Sequence, residues 1–257
     1  MPDKNGTRME KALLIDSFKC TACRGCMVAC KQWNHLPAES TGLSGSYENP
    51  PSLSPSTLTR ILFQEIGTGE DLKWIFRKEQ CLHCSLAACL ALCPSNAIFQ
   101  NRYGFVEVKA ERCIGCGICQ KFCPFKIARV NQRTHKAVKC TFCVDRIEQG
   151  LTPACVKTCP TGALRFGDRQ RVLIQARQAT ADSKNGPRYL YGDRECGGLH
   201  VLYLLPEPPS TLGLPENPRI PNPFEAYAFL KDCSWPSSLR DKVLALAEEK
   251  YFRHRRG

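Results

Sequence analysis

Sixteen of the 18 cysteines in this 257-residue chain fall into four tight quartets, and no other feature constrains the fold as strongly. Group one is Cys20-x2-Cys23-x2-Cys26-x3-Cys30. Group two is Cys81-x2-Cys84-x4-Cys89-x3-Cys93, followed by Pro94. Group three is Cys113-x2-Cys116-x2-Cys119-x3-Cys123, followed by Pro124. Group four is Cys140-x2-Cys143-x11-Cys155-x3-Cys159, followed by Pro160. Cys196 and Cys233 stand alone, with no cysteine at a comparable spacing.

The run C-x2-C-x2-C-x3-C-P is the bacterial ferredoxin signature. Three closely spaced thiolates wrap one 4Fe-4S cubane, and the fourth, one helical turn on, reaches a neighbouring cluster. The proline after it ends the turn and removes a backbone donor. Group three matches throughout, and group one carries Lys31 in place of proline. Group two has two extra residues before its third cysteine. Group four has an insertion at residues 144–154, long enough for a loop or a helical turn. Disulfides and zinc are the competing uses of cysteine. Disulfide frameworks do not repeat cubane spacing four times, and zinc takes two pairs rather than 2-2-3 quartets. The expectation is therefore four 4Fe-4S clusters, with all sixteen cysteines as iron ligands.

Cross-ligation leaves two pairings. In the favoured one, adjacent groups two and three form an inner pair and groups one and four close around it. The ligand sets are then Cys20, Cys23, Cys26 and Cys159 (cluster 1); Cys30, Cys140, Cys143 and Cys155 (cluster 2); Cys81, Cys84, Cys89 and Cys123 (cluster 3); and Cys93, Cys113, Cys116 and Cys119 (cluster 4). The alternative pairs one with two and three with four, giving two consecutive ferredoxins. Cys196 and Cys233 are expected to be free thiols outside the clusters.

The net charge of +12 at first suggests a nucleic-acid binder. Four oxidised clusters with their ligands add about −8, so the assembled protein sits near about +4. The basic residues then compensate cluster charge, and nucleic acid is not an expected partner. Lys19, Arg24, Lys31, Lys121, Lys126, Lys139 and Lys157 flank the cysteines, either as compensation or as potential-tuning charges. No window carries the 18 or more apolar residues of a membrane span, and residues 1–8 are polar. The chain is therefore expected neither to span a membrane nor to export itself.

Groups two, three and four each run from Cys-Pro into a short apolar segment: Ala97 to Phe99, Ile127 to Val130, and Ala163 to Phe166. This repeat suits small α/β units. Residues 98–100 and 105–108 read as a hairpin turning at Gly104. Residues 60–66 and 72–77 read as a second hairpin, after an irregular loop rich in Pro, Ser and Gly. Asp168 is placed to cap a helix over residues 169–181 that buries Val172, Leu173 and Ala176. A strand over 200–205, an extended Pro-rich arm over 206–223 and an amphipathic helix over 236–252 complete the chain. That helix is expected to carry Leu239, Val243, Leu246 and Lys250 on one face, with Leu244, Ala247 and Tyr251 beside them, and to end in the cations of residues 253–256.

The expected architecture is α+β: two pseudo-symmetric bacterial-type 2×(4Fe-4S) ferredoxin-like modules with an inserted hairpin and a C-terminal extension. Residues 10–35 and 131–182 form the outer module and residues 78–130 the inner one. Residues 36–77 are the inserted loop and hairpin, and residues 183–257 the extension. There is no catalytic constellation. His83, inside group two, reads as a hydrogen-bond donor supporting a ligand rather than as a ligand. His35, His135, His200 and His254 have no evident partner in sequence.

Longer motifs carry a family resemblance. They are the stretch from Cys20 through Cys30 into Lys31-Gln32-Trp33-Asn34; Lys139-Cys140-Thr141-Phe142-Cys143-Val144-Asp145-Arg146; Pro153-Ala154-Cys155-Val156-Lys157-Thr158-Cys159-Pro160-Thr161-Gly162-Ala163; Gly197-Gly198-Leu199-His200-Val201; and Gly213-Leu214-Pro215-Glu216. Over roughly residues 13–218 the chain resembles the iron–sulfur β-subunits of molybdenum- or tungsten-dependent formate dehydrogenases. These belong with the four-cluster electron-transfer subunits of the dimethyl sulfoxide reductase family. The resemblance implies a non-catalytic subunit of anaerobic respiration. It would carry electrons between a Mo/W-pterin catalytic subunit and a cytochrome b, a cytochrome c or another acceptor. It also implies a periplasmic location by co-export with a signal-bearing catalytic subunit, or alternatively a cytoplasmic one. An electron-transfer subunit of another enzyme of that wider family, or a free polyferredoxin, is the remaining alternative.

Overall fold

The computed structural model describes residues 9–42, 45–181, 186 and 188–252. Residues 1–8, 253–256 and His254 among them lie outside that set, and so does the expectation placed on the terminal cations.

In chain order the elements begin with β1 (Lys11–Asp16) and α1 (Gly25–Trp33). A hairpin follows, β2 (Arg60–Ile66) and β3 (Lys73–Glu79). Then come α2 (Ala88–Ala91), β4 (Ile98–Gln100), β5 (Val106–Val108), α3 (Ile118–Lys121), β6 (Arg129–Asn131) and β7 (Lys136–Val138). Group four spans α4 (Val144–Glu148) and α5 (Ala154–Lys157), leading into β8 (Leu164–Asp168) and α6 (Arg169–Ala181). The remainder is β9 (Tyr189–Tyr191), β10 (Val201–Leu205), α7 (Pro223–Asp232) and α8 (Ser237–Phe252).

A four-stranded mixed sheet, ordered β8-β1-β10-β9, ties the ends of the cysteine region together. β1 runs antiparallel to β8, with Leu13 opposite Phe166, and parallel to β10, with Leu13 opposite Val201. Both faces are covered. Ala12, Leu14, Leu202 and Leu204 meet Val172 and Ala176 of α6 on one side. Leu13, Ile15, Val201, Tyr203 and Leu205 enter the main core on the other. β1 therefore has a continuous apolar run without alternation, as strands buried on both faces do. α6 starts where the sequence places it, and the Arg171 amide donates to Asp168 Oδ1 at 3.2 Å.

The hairpin β4–β5 pairs Ile98 with Val108, and its turn requires glycine. Gly104 has φ +84°, and a Cβ there would lie 2.2 Å from the His200 ring. β2–β3 pairs Arg60 with Glu79 and so runs two residues past the expected limit of 77. Its outer face carries an aromatic cluster of Tyr47, Phe63, Trp74 and Phe76.

The C-terminal region departs from expectation in three ways. Residues 206–223 form turns and pack on this chain's own core in place of a fully extended arm. Leu212 and Leu214 are buried in the main core, and the Tyr191 hydroxyl donates to the Pro215 carbonyl at 2.7 Å. Residues 223–232 form α7, an element absent from the sequence reading. Asn222 caps it, accepting from the Glu225 amide at 2.9 Å, and Pro223 stands at its first turn, where a missing N–H costs nothing. Finally, α8 buries Val243, Ala247 and Tyr251, whereas Leu239 is 36% exposed, so the buried stripe is centred on the flanking side that carries Ala247 and Tyr251. α7 and α8 pack on Leu92 and Ile118, beside the cysteine helices of groups two and three. No helix among the described residues is long and apolar enough to cross a membrane.

Candidate iron–sulfur sites

Each quartet uses the same local device: a turn with left-handed residues, then a short helix. In group one, Ala22 and Arg24 have positive φ (53° and 60°), which curls the chain around Cys20, Cys23 and Cys26 before α1 carries Cys30 away by one turn. In group three the turn uses Gly115 and Gly117. A Cβ on Gly115 would meet the His135 carbonyl oxygen at 2.4 Å. In group four, Cys143 itself is left-handed (φ 49°), and the insertion between Cys143 and Cys155 holds α4.

Two cavities are lined by cysteines from opposite ends of the chain. One is walled by Cys20, Cys23, Cys26 and Cys159 together with Lys78. The other is walled by Cys30, Cys140, Cys143, Cys155 and again Lys78. In the other half, Cys89 and Cys123 both feel Cys81, and Cys84 feels Cys81 and Cys89. Cys116 and Cys119 gather with Cys93 and Cys113.

The donor set fits an electron-rich metal cluster. Burial pushes the thiols up: Cys26 to about 11, and Cys30, Cys89 and Cys116 to about 12. Without metal the thiols therefore stay protonated, and their thiolates need a positive partner such as iron. Several sulfurs accept weak hydrogen bonds: from the Asn34 amide to Cys30 (3.6 Å), from Ala137 N–H to Cys113 (3.3 Å) and from Phe142 N–H to Cys140 (3.4 Å). Such donors stabilise the charged ligand.

Lys78, which the sequence reading did not single out, is 1% exposed on β3. Its amine donates to Gln80 Oε1. Burial disfavours its charged form, and the sulfurs of Cys155, Cys26, Cys140 and Cys30, as thiolates, favour it more strongly, so its charge is tied to theirs. Of the flanking cations named from sequence, Lys139 is also buried, donating to the carbonyls of Val106 and Cys140. Lys31 instead ties down the loop, donating to Pro37 and Ser56 carbonyls at 2.7 and 2.8 Å.

His83 is fully buried beside Phe105 and Phe142; it accepts from the Val106 amide through Nδ1 (3.1 Å), which leaves the proton on Nε2, buried without a hydrogen-bond partner among the described residues. Burial, with Lys139 and His200 nearby, holds it well below the ordinary histidine range and hence neutral. His200 Nδ1 lies 2.8 Å from the Lys11 carbonyl. Trp33 joins two motifs far apart in sequence. Its Nε1 donates to Asp145 at 2.9 Å, and the Arg146 guanidinium lies 4.3 Å over its ring. Cys233 donates to the Phe229 carbonyl within the tail, at 3.2 Å. Cys196 is buried beside Cys84 and belongs to no quartet.

Residues 72–169 match the 4Fe-4S dicluster domain family, and residues 17–33 match a 4Fe-4S binding domain. With the gathered thiols, these matches make the chain a protein of mixed α and β content with domains of the 4Fe-4S ferredoxin type. It is 40% identical over 227 residues to the formate dehydrogenase iron–sulfur subunit of Haemophilus influenzae, covering 85% of this chain and 73% of the relative. The nitrate-inducible formate dehydrogenase iron–sulfur subunit of Escherichia coli is 42% identical over 220 residues, covering 83% and 75%. The formate dehydrogenase 2 subunit beta (cytochrome c-553) of Nitratidesulfovibrio vulgaris is 38% identical over 210 residues, covering 77% and 94%. The chain belongs to the family of formate dehydrogenase iron–sulfur subunits.

Proposed function

We propose that this chain is the electron-transfer subunit of a formate dehydrogenase and holds four 4Fe-4S clusters in the sets given above, joining a Mo/W-pterin catalytic subunit to a downstream acceptor. The single observation that supports the pairing is the pair of cavities in which Cys159 stands with the group-one triplet and Cys30 stands with Cys140, Cys143 and Cys155; the count rests on the four cysteine quartets. Helix packing favours the two-module arrangement, since α1 lies against α5 and α2 against α3.

A bound cubane supplies reversible one-electron chemistry with little structural change. The chain's own residues hold the four sites at fixed separations, exclude water and supply compensating charge. Thiols of neighbouring quartets also adjoin: Cys26 and Cys155, Cys140 and Cys81, Cys89 and Cys119. That sequence of neighbours supports a linear path, cluster 1 to 2 to 3 to 4. A free polyferredoxin is disfavoured, because large parts of the chain lie outside the cysteine quartets. The catalytic subunit stands at one end of the path, and a cytochrome b or cytochrome c is the acceptor proposed at the other. The proposed compartment is the periplasm, reached by co-export with the catalytic subunit.

Anaerobic iron and acid-labile sulfide analysis tests the count. Four cubanes require about 16 of each per chain. A value near about 12 would remove one quartet from the path, and stoichiometric zinc would overturn the reading.

A further inference from the structure

β3 threads between the two outer sites, and Lys78 is where it meets both. Its side chain lines the cavity of Cys20, Cys23, Cys26 and Cys159 and also that of Cys30, Cys140, Cys143 and Cys155. Among the described lining residues it is the one common to the two cavities. Its amine has one polar contact, the neutral Gln80 Oε1, and both side chains are buried at 1% and 2% exposure. Among the described residues it makes no ion pair with a carboxylate. A buried cation without a carboxylate is costly unless other anions neutralise it, and the sulfurs on either side are the anions available.

We propose that Lys78 is a single charge shared by the two outer clusters, raising the reduction potential of both together so that they stay matched for electron exchange. It rests on the reading of these quartets as cluster sites. Each site gains one electron on reduction, and no bond forms or breaks. A fixed cation in a region of low dielectric lowers the energy of that added negative charge. Because one cation faces both sites, its effect on the difference between them is small while its effect on each is large. Lys78 is a positioning residue of the electron path, with no role as an iron ligand.

The test is an EPR-monitored redox titration of the cluster-loaded full chain, with dithionite and mediator dyes. Cys20→Ser and Cys140→Ser assign the signals of the outer pair. Lys78→Met should make both outer clusters at least tenfold harder to reduce, about 59 mV each for a one-electron couple. The inner pair should stay unmoved, and Lys78→Arg should restore the outer pair. Gln80→Glu, which places a carboxylate against the ammonium, should shift the same two clusters in the same direction. Unchanged outer potentials in Lys78→Met at full iron content would overturn the proposal. If Lys78→Met loses iron, Gln80→Glu decides: a fall confined to the outer pair supports the shared charge, and unmoved potentials refute it. A wild-type chain with fewer than four one-electron couples would instead count against the four-cluster reading, whatever the variants do.

Discussion

Leu230 reports on how the C-terminal helices are held. Its side chain is fully buried among Leu92, Ile118, Ala226, Val243, Ala247 and Tyr251. Leu230→Ala removes the equivalent of about three methylenes, a transfer loss of about 2.4 kcal/mol at about 0.8 kcal/mol each. The unfilled cavity raises the cost toward about 5 kcal/mol where neighbours relax poorly. At about 1.4 kcal/mol per decade this opens α7 and α8 by a factor of about 50 to about 4,000. The two helices contact the rest of the chain over one face, so the loss should stay local. Native-state amide hydrogen exchange reads it. Protection across α7 and α8 should fall by that factor while β10 keeps its protection and iron content is unchanged. Leu239→Ala on α8, at a position already 36% exposed, should shift exchange by no more than about 0.5 kcal/mol. If Leu230→Ala leaves the tail protected, or if β10 opens with it and iron is lost, the tail is not a locally docked unit and the reasoning fails.

Three further outcomes follow from the geometry. Cys159→Ala should perturb the EPR signal of the cluster assigned to Cys20, Cys23 and Cys26; a response confined to the cluster of Cys140, Cys143 and Cys155 would break the pairing. Cys233→Ser should leave both iron content and the reduced-state spectrum unchanged, and Cys196→Ser should keep the full iron count, as metal analysis will show. Asp168→Ala should cost α6 about 1 kcal/mol through loss of its cap, measured as faster amide exchange in its first turn.

Elements with local signals were legible in the sequence. The hairpins β2–β3 and β4–β5 announce themselves by glycine turns, and α6 by Asp168 followed by helical spacing. The cysteines that line the two cavities come from groups far apart in sequence, and only the fold brings them to one wall. β1 was missed because a strand buried on both faces shows no alternation. α7 was missed because Pro223 looked like the end of an arm rather than the first turn of a helix. Lys78 gave no sign in sequence. It lies in a hairpin strand, and only the fold sets it between Cys26 and Cys140, residues far from it along the chain. The Trp33–Asp145 contact was hidden for the same reason, although both residues sit in motifs that stood out.

The sheet order β8-β1-β10 has a consequence for biosynthesis. β1 leaves the ribosome well before its partners Phe166 and Val201, so its ladders wait until residue 205 has emerged. The inner cysteines span only positions 81–123, and their hairpins β4–β5 and β6–β7 are local. Contacts close in sequence form early and distant ones late. In the proposed pairing the inner half can therefore take up its iron while the chain is still being made. In the proposed pairing the thiols of group one stay reduced and unoccupied until Cys159 arrives, which makes them the part of the nascent protein most exposed to stray oxidants and competing metals.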